Sequence, residues 1–455
     1  MKKTALLSII FIATILLSSY IDLENLFDYE TQIIPNYITQ DNTNTNNITN
    51  EGATLGRVLF YDKILSSNNT IACANCHLQE RAFGDTAIQS IGVNGITGRH
   101  SMRLINSRFT NNQTFFWDNR ADDLEKQTTM PIKDHIEMGY SGMNGDQDIN
   151  QLTTLLSNKY YYPVLFNLAF GDYEITEERI QFSLAQFIRS IQSFDSKFDI
   201  GYAQSGNNFD IPFTNFTPLE NEGKALFKSG FLAVNGGAGF SCNQCHIEPY
   251  FTIFPAGNNG VISISGTPNG ADLTNTKSPS LRDIVNPDGT LNTPLMHDGS
   301  INSLEELLDH YETVAPVFNN PNLSFVLSSG PFIISTNQKQ AIIAFLKTLT
   351  GTDVYTNERW SNPFDSEGVL GFSIKQSFKN ISLYPNPVID DLNIQIDEGD
   401  FILKIYSLNG KEVLSTNLKS NITLDLSFLH TGIYILIIKD LNSNTAFKTQ
   451  LIKYN

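Results

Sequence analysis

Cys73, Cys76 and His77 form a Cys-x-x-Cys-His run, and Cys242, Cys245 and His246 form a second. This order suits one chemistry. Two thiols bond to the vinyl groups of a porphyrin, and the adjoining His becomes the proximal iron ligand, the attachment pattern of c-type haem. The two copies use all four cysteines of the 455-residue chain. A zinc site shared by two Cys-x-x-Cys pairs, or a redox dithiol, would use the same thiols but needs no His after both pairs.

The length suggests two to four domains, and a hydrophobic fraction of 41% is enough for proper cores. A net charge of −17 argues against a nucleic-acid partner and is compatible with a basic redox partner. Lys2 and Lys3 precede a short apolar run, Ala5 to Leu17, followed by Ser18 and Ser19. Residues 1–20 therefore read as a secretory signal peptide; the run is short and wrongly flanked for a membrane span, although an uncleaved anchor helix is the alternative. No Cys follows directly, which excludes a lipoprotein anchor.

Residues 21–52, Asn/Thr-rich from about 36 onwards, read as a linker without a core. Order is expected from Leu55. A Gly-rich region follows His77 and predicts loops; residues 121–131 predict a helix ended by Pro131. Ile180, Leu184, Phe187, Ile188 and Ile191 recur at helical spacing over 176–192. A further helix over 219–228 leads to the second Cys-x-x-Cys-His run. Ser303 to Glu306 opens another through about Glu312, and Ser335 to Gln338 opens one stopped by Gly351. The chain is thus read as mainly α: two cytochrome-c-like helical haem domains, 53–205 and 206–351, that look like diverged copies of one plan. A linker over 352–377 follows, then a small all-β sandwich over 378–455. There Leu392, Ile394 and Ile396 alternate with polar residues, and Asn409-Gly410 predicts a hairpin turn.

Further residues carry a resemblance. They are Leu59-Phe60-Tyr61-Asp62, Phe83-Gly84-Asp85, Phe116-Trp117-Asp118-Asn119-Arg120, Leu124-Glu125, Gln127, Pro131, Glu137-Met138-Gly139 and Met296-His297-Asp298-Gly299. With them, residues from about 50 to 351 resemble the bacterial di-haem cytochrome c peroxidase superfamily, which includes MauG-type enzymes. The tail, with Leu383-Tyr384-Pro385-Asn386-Pro387 and Gly432-Ile433-Tyr434, resembles the type IX secretion sorting domain.

The resemblance implies a set of roles. Glu137 would lie over the open face of the first haem as acid/base, with Gln127 and Pro131 as pocket neighbours. Trp117 would couple the haems, though it could equally be a packed core residue. The peroxidases use a Met as sixth ligand of the second haem, on the helix after His-Asp-Gly. This chain has no Met after Met296, and Tyr311 stands at the matching position, as in MauG-like proteins. Tyr311 shares the helical face of Leu304, Leu307 and Leu308, whereas His310 is rotated about 100° away. A buried, hydrogen-bonded Tyr is the alternative. Classical members place a displaceable His in the loop that here reads Ser90-Ile91-Gly92-Val93-Asn94. The first haem would then be permanently open unless His100 ligates it. His100 occupies a position that usually holds an Asn helping to bind an inter-domain calcium, and backbone carbonyls of Asn292 and Pro294 could still contribute to such a site. His297 would contact a haem propionate; His135 and His430 read as structural or surface residues.

The implied activity is reduction of hydrogen peroxide with electrons from a small redox protein. The implied cofactors are two covalent haems and a calcium. The rivals are a MauG-like oxidase of a protein side chain and a non-catalytic electron carrier. Export by the type IX machinery would bring the protein through the periplasm to the outer-membrane surface or the medium, and a homodimer is allowed.

Overall fold

The computed structural model describes residues 20–23, 25–43, 46–110, 114–229, 240–264, 267–314, 320–328, 333–366, 368–373, 381–407, 411–441 and 446–454. The expected signal peptide (save Tyr20) and the Asn409-Gly410 turn lie outside these residues. Two compact units emerge: Leu26–Asn362, and Pro363–Asn455 together with the N-terminal residues up to Asn25.

The larger unit is helical. Its helices are α1 (Asn50–Tyr61), α2 (Cys73–Cys76), α3 (Leu124–Thr129), α4 (Ile149–Ser157), α5 (Tyr161–Phe170), α6 (Glu177–Ser190), α7 (Lys197–Gln204), α8 (Pro218–Lys228), α9 (Leu304–Thr313), α10 (Phe325–Ser328) and α11 (Thr336–Lys347). Local chemistry sets their starts. Thr49 accepts from the Gly52 N–H at α1 and Thr176 from Arg179 at α6. Thr217–Glu220 and Ser335–Gln338 form capping boxes at α8 and α11, with Pro218 at the first turn of α8.

Two helix pairs make the core, and the same device closes both. A Cβ at Gly56 of α1 would stand 1.9 Å from the Ser183 carbonyl oxygen of α6; at Gly223 of α8 it would stand 1.9 Å from that of Ala341 of α11. Only a hydrogen at these positions lets the backbones cross so closely. Around the first crossing Leu55, Val58, Leu59, Phe60, Leu184 and Phe187 are buried; around the second, Leu226, Phe227, Ile342, Phe345 and Leu346.

Both expected linkers need correction. Tyr29 is fully buried, and Ile38, Asn42, Asn46 and Ile48 are buried too. The Asn42 side chain accepts from Arg189 Nε at 2.9 Å, and the Asn46 amide donates to Glu125 Oε1 at 2.7 Å. These asparagines complete a buried Arg189–Glu125 pair (Nη2 to Oε2 2.9 Å) joining α6 to α3. On the C-terminal side, Val354 and Trp360 are buried. Arg57 Nε donates to the Ser361 carbonyl at 2.6 Å, and Tyr61 donates to that of Trp360 at 2.7 Å. The helical unit thus keeps the chain as far as Asn362. The last helix also stops earlier than expected, at Lys347; Gly351 instead gives its N–H to the Asp283 carboxylate at 2.8 Å.

In the smaller unit, strands Glu412–Leu418, Phe401–Ser407, Gly432–Asp440 and Ala446–Lys453 form one antiparallel sheet, in that order. Ile422–Asp425, Asp391–Ile396 and Ile381–Tyr384 form a second. Leu392 and Ile394 of one sheet and Leu403, Ile405, Leu436, Ile438 and Leu451 of the other share one buried core. Tyr20–Asp22 pairs in parallel with Gly371–Ser373 in this unit. No helix among the described residues is long and apolar enough to cross a membrane.

Candidate active site: two cavities with a common wall

Each Cys-x-x-Cys-His run opens onto its own cavity. The first, of about 690 Å³, is lined by Cys73, Cys76, His77, Gln127, Pro131 and Glu137 among others. The second, of about 570 Å³, is lined by Cys242, Cys245, His246, Met296, Pro294 and Tyr311. Both fall in the roughly 300–1,000 Å³ range of cofactor sites.

The two histidines are held alike. His77 Nδ1 lies 3.1 Å from the Phe83 carbonyl oxygen, and His246 Nδ1 lies 3.1 Å from that of Phe251. Phe83 and Phe251 have φ of +60° and +55°. This left-handed backbone is costly for a Phe and turns the carbonyl toward the ring. With Nδ1–H donating, Nε2 keeps its lone pair, the arrangement a proximal metal ligand needs. Burial lowers both histidines, His246 to about 4, so both are neutral near pH 7.

Glu137 lines the first cavity as well. Burial, aided by Asp134 and opposed by Arg120, pushes its carboxyl up to about 7. Its backbone is fixed: the Glu137 N–H donates to Asp134 Oδ1 at 2.9 Å, and its carbonyl accepts from Val93 at 2.9 Å. The 90–98 loop is therefore pinned beside the acid. A Cβ at Gly92 would stand 2.1 Å from the Ile136 carbonyl oxygen, so the loop packs tightly there. Arg120 also lines the cavity, 3.6 Å over the Phe116 ring and paired with Asp118 at 2.9 Å.

Trp117, His100, Arg103 and Lys277 line both cavities. Trp117 Nε1 donates to the His100 carbonyl at 2.7 Å, and the His100 N–H donates to that of His297 at 2.8 Å. His100 Nδ1 lies 2.9 Å from the Ala87 carbonyl oxygen, leaving Nε2 buried without a partner. Both ring nitrogens of His297 are buried and unpartnered, with Nε2 3.6 Å from Asp272 Oδ2. Arg99 clasps this wall, reaching Asp118 at 2.7 Å and Asp272 at 2.8 Å.

Sequence reasoning missed the wall's cations. Lys277 is 6% exposed. Its Nζ donates to the Thr114 carbonyl at 3.3 Å, and burial pushes it down to about 8. Arg103 donates from Nη2 to the Ser280 carbonyl at 2.8 Å, while its Nε is buried without a partner. Neither makes an ion pair with a carboxylate among the described residues. Single basic residues carry no sequence signal. The two carboxylates of a haem would supply the charged partners these cations lack among the described residues.

In the second cavity Tyr311 projects from α9 with Leu307 and Leu308, and burial holds its phenol well above the usual range. His310 turns away and hydrogen-bonds through Nε2 to the Asn259 carbonyl oxygen at 2.9 Å. The residues suit two haems. Calcium takes six to eight oxygen ligands, whereas His100 offers an imidazole nitrogen. The Asn292 amide nitrogen donates to the Asp283 carbonyl and the Tyr355 hydroxyl, each at 2.7 Å, while its side-chain oxygen is buried without a hydrogen-bond partner among the described residues.

The family model described as di-haem cytochrome c peroxidase matches residues 50–207. The cytochrome c551 peroxidase of Nitrosomonas europaea is 30% identical over 315 residues, 66% of this chain and 80% of that one. The methylamine utilization protein MauG of Methylorubrum extorquens is 31% identical over 314 residues, 67% of this chain and 79% of that one. This chain belongs to the di-haem cytochrome c peroxidase family. Membership implies two c-type haems. A crystal structure of a MauG-like protein associated with microbial copper homeostasis superposes with a TM-score of 0.57 at 28% identity, covering 72% of this chain and 98% of that one. Residues 382–453 match the secretion system C-terminal sorting domain, which implies export by the type IX machinery to the cell surface. For a di-haem peroxidase relative the tail is an address appended to the redox unit.

Proposed function

We propose that this protein is an exported di-haem peroxidase that reduces hydrogen peroxide to water at the first cavity. The observation that carries the reading is Glu137, a carboxyl raised to about 7 in the cavity that His77 also lines. Peroxide cleavage requires a proton to move from one oxygen to the other, and a group titrating near the working pH does this best. When bound, the haems supply the iron that takes up peroxide and the redox capacity to collect electrons.

The side chains supply the rest. His77 and His246 hold the irons through Nε2. Glu137 accepts the peroxide proton and returns it to the leaving oxygen, and Gln127 orients the substrate. Arg120 limits how far burial raises Glu137. Trp117, at the wall of both cavities, links them. Reduction of peroxide consumes two electrons and two protons, and a small redox protein delivers electrons singly, which suits two centres. In this reading each cavity belongs to a cytochrome-c-like domain, supported by the matched glycine crossings and matched His–Phe carbonyl bonds. Tyr311 would ligate the iron of the second haem. Turnover of H2O2 in Glu137→Gln tests the reading: a fall of about 10²–10⁴-fold with both haems retained is expected, and unchanged turnover removes Glu137 from the mechanism.

A second reading, oxidation of a protein side chain in the manner of MauG, is favoured by Tyr311 and by a 90–94 loop without His. Rapid mixing of the diferric protein with H2O2 separates them. An immediate Soret change without prior reduction favours the MauG-like design; a change only after one electron is added favours a reductively activated peroxidase, with His100 as the masking ligand.

A further inference from the structure

Tyr311 shares the second cavity with another side chain able to bind iron, the thioether of Met296. Met296 is 8% exposed and sits in a tight hairpin, where Leu295 pairs with Ile301 and the Gly299 N–H donates to the Met296 carbonyl at 3.3 Å. Its φ is +72°, a left-handed backbone that is costly for a Met. The sulfur has a partner: Asn259 Nδ2 donates to Met296 Sδ at 3.0 Å. Asn259 is itself anchored twice. Its Oδ1 accepts from the Val261 N–H at 3.1 Å, and its carbonyl accepts at 2.9 Å from Nε2 of His310, the neighbour of Tyr311 on α9.

Asn259 lines the same cavity and acts on Tyr311 as well. Burial raises the Tyr311 phenol above its usual range, and a hydrogen bond from Asn259 pulls it back. Packing alone does not account for this arrangement. A thioether is a weak acceptor, and a Leu would fill the turn without calling for an amide. Two ligands in one cavity would compete for the same iron. A phenolate is hard and anionic and suits ferric iron, whereas a thioether is soft and neutral and raises the potential. An N–H on Sδ draws on the lone-pair density that iron would need and holds the side chain where it is. An N–H beside a phenolate oxygen steadies its negative charge.

We propose that Asn259 is the positioning residue that decides which side chain the second haem takes: it holds the Met296 thioether off the iron and leaves the site to Tyr311. The proposal rests on the Tyr311 reading above and deepens it. Its consequence is a second centre kept at a low potential although a thioether lines the same cavity.

The test uses the full-length holoprotein with both haems in place. Near-infrared magnetic circular dichroism identifies the axial ligands of each ferric haem, and a spectroelectrochemical titration gives each potential. The parent and M296L should share one phenolate signature and one potential at the second haem. N259A, which keeps the backbone carbonyl on His310, should gain a thioether signature and a higher potential there, and N259A/M296L should lose that signature again. N259L, which fills the space without a donor, replaces N259A if the smaller side chain unfolds the protein. An Asn259 variant with the parent's ligand signature and potential overturns the proposal and leaves Tyr311 as the ligand. A thioether signature in the parent that M296L abolishes also overturns it. A parent spectrum that Y311F leaves unchanged removes the Tyr311 reading, and the proposal with it.

Discussion

Trp117 Nε1 donates to the His100 carbonyl oxygen at 2.7 Å, at a point where both side chains face both cavities. Trp117→Phe should leave that buried carbonyl without its donor, a cost of about 1–3 kcal/mol. In the fully loaded protein it should also slow electron transfer between the haems. Unfolding in denaturant checks the first effect, and flash-induced reduction of one centre followed at the other checks the second. A stability loss with unchanged transfer would make Trp117 a packing residue only.

Glu137 makes stability and activity respond to pH in opposite senses. Its folded value, about 7, lies above the usual 4.5, so the folded state binds the proton more tightly. Its contribution is therefore full below about pH 4.5 and is lost as pH rises through about 7. The loss above that range amounts to about 3 kcal/mol at 1.36 kcal/mol per unit. Glu137→Gln should be more stable than the parent at pH 8 by up to that amount and equal to it at pH 4. Over the same interval peroxide turnover by the parent should rise with the carboxylate form. Chemical unfolding at the two pH values, beside a pH–rate profile, tests both signs.

Gly56→Ala and Gly223→Ala should each drive a methyl into a facing carbonyl, since the added Cβ stands 1.9 Å from oxygen in both. Overpacking of this kind costs about 1–3 kcal/mol, occasionally more. Thermal unfolding should show comparable losses for the two variants. A silent substitution at either site would mean that its crossing is looser than its counterpart.

Removing Glu125 tests the corrected start of the helical unit. Glu125→Ala leaves Arg189, whose side chain is 2% exposed, as a buried unpaired charge, and breaking a buried pair costs about 3–5 kcal/mol. Asn46 loses a partner as well, so limited proteolysis should reach residues 42–49 sooner. Protection equal to the parent's would show that this segment is held by other contacts.

The elements that carry chemistry were legible because their signal is local. Two Cys-x-x-Cys-His runs, the Ser335–Gln338 box and the period of Ile180, Leu184 and Phe187 need only near neighbours; the structure forms the box and the helix, and each run lines a cavity. The Asn/Thr-rich stretch misled because composition counts Asn as solvent-seeking. Asn42 and Asn46 are buried because Arg189 and Glu125, distant in sequence, require amide partners. Gly351 misled for a similar reason. It reads as a helix stop, but its N–H belongs to Asp283, and a Cβ there would stand 2.3 Å from Asp195 Oδ1. Lys277 and Arg103 were invisible because nothing near them in the chain shows that two cavities meet there.

Arg99 holds Asp118 from one half of the helical unit and Asp272 from the other. A one-electron current falls off steeply with the gap it must cross. On the proposed reading, by clamping both sides of the wall this guanidinium would make the gap a fixed component of the molecule, so that conduction between the centres would not wait for the halves to drift together.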